Sequence, residues 1–321
     1  MTGQFVLSGS GNQIANLYFN GTGANVRVGG TNNKVIGNRF HGWATGAAIF
    51  LTSGSAAEVA YNEITDPASW SEVPPTGVEP VRMGIRSGYK PGAANFNGNG
   101  FHTSAWVHHN YLLNMPDKPG ANYHSGQTDA IEVCATQPKP VPLASNWLLE
   151  NNLVENHLEH GAGIVDVKCS TGAVVRNNTI IDAVNGGRLD FRGGNNGFLV
   201  GNYLDNTGGI NVAGDNHVVK DNIVMGGGVI GLVTGGAGSD IAAANNTSVV
   251  CNNGRLVLGV YSGLGRTPAT NTRIINHTGA VVSESATGIV QSTDGTICTP
   301  PHKLTEAEVG LTALAVKCGG N

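Results

Sequence analysis

The chain has 321 residues, 48 of them glycine; 40% are hydrophobic, only 12% are charged, and the formal net charge is −4. That balance offers no basic stripe to release counterions from a nucleic acid, and no apolar run approaches the ~20 residues of a membrane helix. The apolar fraction is too high for a disordered chain, and the glycines follow no Gly-X-Y period, which excludes collagen.

From the N-terminus onward one phrase recurs, an apolar residue followed by Asn and a second apolar residue. It runs through IANLYF (Asn16), VIGNRF (Asn38), VAYNEI (Asn62), VHHNYL (Asn110) and LENNLV (Asn152). It continues in VRNNTI (Asn178), LVGNYL (Asn202), VKDNIV (Asn222), AANNTS (Asn246) and IINHTG (Asn276). Most intervals are 20 to 30 residues, with two longer gaps of 48 and 42. Short β-branched runs at that period, without a 3.6-residue pattern before residue 303, define a β-solenoid. The expectation is an all-β, single-domain right-handed parallel β-helix over 1–295. Asn side chains would stack along its axis at the turns. Loop insertions are expected near 66–104 and 113–145. A tail, 296–321, containing LTEAEVGLTALAV, would pack on or cap the last coil. Cys298 and Cys318 bracket that tail and would close a loop there. Five cysteines without a CxxC spacing point to a secreted or cell-surface protein whose leader has been removed.

Four consecutive coils align in one register: Ile131-Glu132-Val133-Cys134, Val165-Asp166-Val167-Lys168, Leu189-Asp190-Phe191-Arg192 and Ile210-Asn211-Val212-Ala213. Strand side chains alternate, so the first and third positions point inward and the others outward. One outward column is then Glu132, Asp166, Asp190 and Asn211, and the other contains Lys168 and Arg192. Stacked carboxylates need neutralising, either by the neighbouring cations or by a hard ion such as Ca²⁺. A metal site on Glu132, Asp166 and Asp190 is the corresponding expectation. With charge so scarce elsewhere, five charged residues on one patch suggest chemistry. A lysine base beside an arginine that clamps a carboxylate suits β-elimination on an anionic, uronate-containing polysaccharide. His124 and His160 precede two of these strands, and Arg82 and Arg86 lie one coil earlier. These are candidate substrate contacts, as are Trp70 and Trp106, which would stack on sugar rings.

The stretch from Val167 to Asn222 (VKCSTGAVVRNNTI, LDFRGGNN, GGINVAGDNHVVKDNIV) resembles polysaccharide lyase family 6, which contains chondroitinase B and alginate lyases with a pectate-lyase-like fold. The resemblance implies Lys168 as catalytic base and Arg192 as acid or carboxylate clamp, and it aligns Gly208 to His217 with a family phrase ending in His. The calcium ligands it implies are not matched. Gly163 and Gly161 stand where calcium-using members place Glu, Gly126 falls near a further Asn ligand, and Gly193 replaces a His. Two other readings follow from the residues: a glycoside hydrolase using two of Glu132, Asp166 and Asp190, which lacks the NTD, DD and RIK motifs of β-helix polygalacturonases, and a non-catalytic glycan-binding β-helix.

Overall fold

A computed structural model describes residues 1–44, 46–69, 81–88, 102–116, 128–133, 144–158, 163–168, 170–183, 187–192, 194–232, 244–259, 269–284 and 286–317. Among these, the strands form two parallel sheets of eleven strands, a third of eight, and one small pair. Among the described residues the first eight coils each contribute a strand to the first sheet, then the second, then the third, and the last three coils only to the first two; each strand pairs with its equivalent in the next coil. This is the expected parallel β-helix. Coils with few residues between Asn phrases are short turns of the solenoid. The two spans expected as insertions also contain solenoid strands, Arg82–Ser87 and Ile131–Val133, which keep the first sheet continuous.

The interior is a set of aliphatic files, one residue per coil. Val35, Val59, Val107, Leu149, Val175, Leu199, Val219, Val249 and Ile274 form the second sheet's file, all fully buried. Phe19 and Phe40 stack face to face at 4.7 Å near the N-terminal end. A single coil buries little by itself, so stability comes from neighbours covering each other's stripe.

Asn38, Asn62, Asn110, Asn152, Asn178, Asn202, Asn222 and Asn252 form a buried ladder, each Nδ2 donating to the next Oδ1 at 2.8 to 3.1 Å. Each Nδ2 also feeds a main-chain carbonyl, as Asn178 does to Leu149 at 3.0 Å. The ladder residue follows the residue that takes the left-handed conformation, at φ 55° in Tyr61 and 53° in Asn177. Three expected members lie elsewhere. Asn16 and Asn276 stand third rather than fourth in their phrases and occupy the left-handed position itself (φ 58° and 49°), while Asn246 (φ 51°) turns a different corner. Asn252, in VVCNNG, takes the rung that Asn246 was expected to fill.

The described tail, to Lys317, is bonded along the side of the solenoid. It is joined to a coil edge by a Cys251–Cys298 disulfide, in place of the expected Cys298–Cys318 loop; Cys318 lies outside the described residues. From there it runs back along one corner. Thr299 N–H donates to Asp221 (3.1 Å), Leu304 N–H to Thr179 Oγ1 (2.9 Å), and Gly310 N–H to the His109 carbonyl (2.7 Å). Lys317 Nζ reaches the Tyr61 hydroxyl at 2.9 Å. Its helix is Gly310–Lys317. No described helix is long and apolar enough to cross a membrane.

Candidate active site

The first sheet carries the acid–base patch in the expected register. Glu132 pairs with Asp166, Asp166 with Asp190, and Asp190 with Asn211. Lys168 pairs with Arg192 through the backbone. Val133, Val167, Phe191 and Val212 lie between the columns and point into the core, fully buried. The alternation therefore places the chemistry outward because the aliphatic neighbours must go in.

The column is more buried than an outward face suggests: Glu132, Asp166 and Asp190 are all buried. They are held in an ion network. Lys168 Nζ lies 2.8 Å from Glu132 Oε1 and 2.9 Å from Asp166 Oδ2. Arg86, whose strand pairs directly with that of Glu132, lies 2.8 Å from Glu132 Oε2. Burial pushes the Glu132 carboxyl up, but Lys168 and Arg86 outweigh burial and the adjacent Asp166, and hold it below the ordinary glutamate value. The two cations thus neutralise carboxylates that would otherwise be expensive to desolvate.

Two residues of this patch escaped the sequence reading. Asp129, fully buried, brings a carboxylate within 4.8 Å of those of Glu132 and Asp166. Arg188 lies 3.4 Å from Asp190. The signal for Arg188 was present, since Arg188, Asp190 and Arg192 alternate along RLDFR; Asp129 precedes its strand and obeys no alternation.

Gly163 explains a departure from the calcium-using pattern. Its strand bulges between Gly163 and Val165, which lays the backbone over the carboxylates. A Cβ there would stand 2.8 Å from Asp166 Cβ and 3.0 Å from Asp190 Cβ, leaving no room for a Glu. The expected metal set of Glu132, Asp166 and Asp190 is not the one that gathers here; Asp129, Glu132 and Asp166 do, and two of these already bind the Lys168 ammonium. Ca²⁺ takes six to eight oxygens, so the residues present fit an ammonium and a guanidinium rather than that ion.

Arg82 is buried and donates to the carbonyls of Trp43 (3.4 Å) and Ser69 (2.9 Å), which makes it a structural strut rather than a sugar contact. Asn211 ends the file half-buried. His217 is a packing residue. It lies against Phe191 at 4.9 Å, accepts from Gly197 N–H at 3.1 Å, and is held neutral by burial with its pKa lowered to about 4. His124, His160, Cys134 and Trp70 lie outside the described residues, as does the Arg192 side chain.

The architecture is that of the parallel β-helix proteins. Within that class the chain has the fold of family 6 polysaccharide lyases. It superposes on a mannuronic acid specific family 6 lyase from human gut microbiota with TM-score 0.56 and 13% identity, over 88% of this chain and 76% of that one. It superposes on the alginate lyase AlyF-OU02 in complex with G6 at 0.53 and 14%, over 95% and 78%, and on a PL6 alginate lyase complexed with a trisaccharide at 0.52 and 12%, over 92% and 80%. No protein-family model and no curated protein sequence matches the chain.

Proposed function

We propose that the protein is a polysaccharide lyase that cleaves a uronate-containing polysaccharide, alginate-like or related, by β-elimination. The observation that carries this reading is the Lys168–Arg192 pair on adjacent strands beside a buried, ion-paired acid column. In its amine form Lys168 removes the C5 proton of a uronate. The electrons form the C4–C5 double bond, the C4–O bond breaks, and the leaving oxygen takes up a proton. Arg192 binds the uronate carboxylate, which disperses charge from C5, and serves as the acid. Glu132 and Asp166 favour the ammonium form, so turnover belongs to the alkaline side of neutrality. The Glu132 carboxyl, held below its ordinary value, is poorly suited to be the general acid of a hydrolase. We propose an extracytoplasmic location, supported by the Cys251–Cys298 disulfide.

The test is a panel of alginate, pectate, glucuronan and glycosaminoglycans, followed by ultraviolet absorbance of the unsaturated product. Lys168→Ala and Arg192→Ala should lower the rate by 10²-fold or more; turnover unchanged in both would refute the reading. Reducing ends without absorbance would point to a hydrolase, and binding without cleavage to a glycan-binding module.

A further inference from the structure

The outer face of the second sheet carries a feature that the acid–base patch does not use. Trp106, Leu148, Val174, Phe198 and Val218 follow one another through direct strand pairing. Five consecutive coils therefore present an apolar side chain at the same outward position, a stripe with steps of about 4.8 Å along the axis. Trp106 is 41% exposed and Phe198 43%.

The indole is fixed in place. Its Nε1–H donates to Glu150 at 2.7 Å, and one face stacks on the buried His108 ring at 3.8 Å and 27°. The ring is therefore held in one orientation, and little side-chain entropy remains to be lost when something covers it.

Cations flank the stripe. Lys34 pairs with Glu58, Arg176 with Glu150 and Lys220 with Asp221, and in every pair the cation is the more exposed partner. For Arg176 and Glu150 the side-chain exposures are 47% and 8%. The apolar surface is thus bordered by ion pairs whose more exposed member is the cation, with Glu58 standing between Lys34 and Trp106 in the file.

We propose that this face is a second binding surface for an anionic polysaccharide, separate from the acid–base patch on the first sheet. Pyranose C–H faces would lie on Trp106 and Phe198, and uronate or sulfate groups would meet Arg176, Lys34 and Lys220. The proposal rests on the reading of an anionic glycan as the ligand, but not on its cleavage.

The experiment is native affinity electrophoresis in gels containing alginate, pectate or a neutral cellulose derivative. It uses the full chain bearing Lys168→Ala, so that the polymer is not consumed. The expected result is retardation in a polyuronate gel that weakens with salt, and that Trp106→Ala, Phe198→Ala and Arg176→Gln each reduce about tenfold. Phe198→Ala serves as the variant least prone to misfold, checked by its melting temperature. The same substitutions on the Lys168-containing chain should leave cleavage of short oligosaccharides unchanged. Retardation that survives all three substitutions, no retardation in any polyuronate gel, or equal retardation in the neutral gel would each overturn the proposal. A dimer abolished by Phe198→Ala would overturn it in favour of a second copy. Loss of the lyase reading, with no absorbance from any polymer, leaves the retardation result intact, so the two failures are distinguishable.

Discussion

Lys168 and Glu132, from neighbouring coils, meet at 2.8 Å, and the other oxygen of that carboxylate receives Arg86 at 2.8 Å. The lysine is thus held as an ammonium by a carboxylate that is itself held by a guanidinium.

Glu132→Gln removes an anion that contacts the ammonium. Lys168 then releases its proton more readily, and the rising limb of kcat/KM against pH moves to lower pH by about one unit. The Arg86–Glu132 ion pair is lost as well, so urea unfolding should also show a loss of about 3 kcal/mol. An unmoved limb in a folded variant would remove Glu132 from the electrostatics of the base.

The same network bears on metal dependence. A chelator should leave the melting temperature within about 1 °C, because Arg86 and Lys168 already neutralise the acids. Lys168→Met opens the cluster of Asp129, Glu132 and Asp166, and calcium should stabilise that variant in proportion to the logarithm of its concentration. Calorimetry showing tight calcium binding to the unsubstituted chain would contradict the assignment.

Acid should unfold the protein in two stages. Burial lowers the pKa values of His102, His157 and His217 to about 4, 3 and 4. In the unfolded chain each returns to about 6.5, so below that pH the unfolded state binds protons that the folded state refuses. Stability is complete above pH 6.5 and declines as pH falls toward 4. Glu132 adds a second loss below about 4.5, as protonation forfeits its ion pairs. Urea midpoints measured from pH 7.5 to 4 should hold level to about pH 6.5 and then fall; a flat profile down to pH 4.5 would exclude the histidine contribution.

Asn178→Ala deletes one rung of the ladder. The Asn152 main-chain N–H loses its acceptor, Asn152 Nδ2 loses one of two, and the Leu149 carbonyl and Asn202 Oδ1 each lose a donor. A buried group left unsatisfied costs about 1–3 kcal/mol, so equilibrium unfolding should show a loss of about 3 kcal/mol with the circular dichroism of the folded state preserved.

Gly163→Ala drives a Cβ against Asp166 and Asp190. The bulge must shift, at a cost of about 1–3 kcal/mol, and Lys168, three residues on from the bulge, moves with it. Turnover should fall more steeply than stability; equal activity would show that the bulge does not set the base.

The period of the Asn phrases and the alternation on the first sheet carried most of the architecture. Both arise from short-range rules, inward against outward and turn against strand, that the chain must obey in every coil. What escaped depends on other information. Asn16 and Asn276 look like ladder residues but stand one place early, a shift that only the pairing reveals. Burial of the acid column was unreadable, because alternation says which way Asp166 points but not what lies over it. Asp129 lies outside any strand. The Cys251–Cys298 pairing joins a coil edge to the tail across 47 residues, and nothing local to either cysteine encodes it.

The path of the tail has a consequence for how the molecule comes apart. A stack of coils behaves as a one-dimensional array in which fraying starts at an end and advances unit by unit. A segment bonded at Asp221, Thr179, His109 and Tyr61 touches the array at widely separated units simultaneously. Releasing any one of those coils disturbs a tether shared by the others, so a linear stack acquires the all-or-none behaviour of a globular domain.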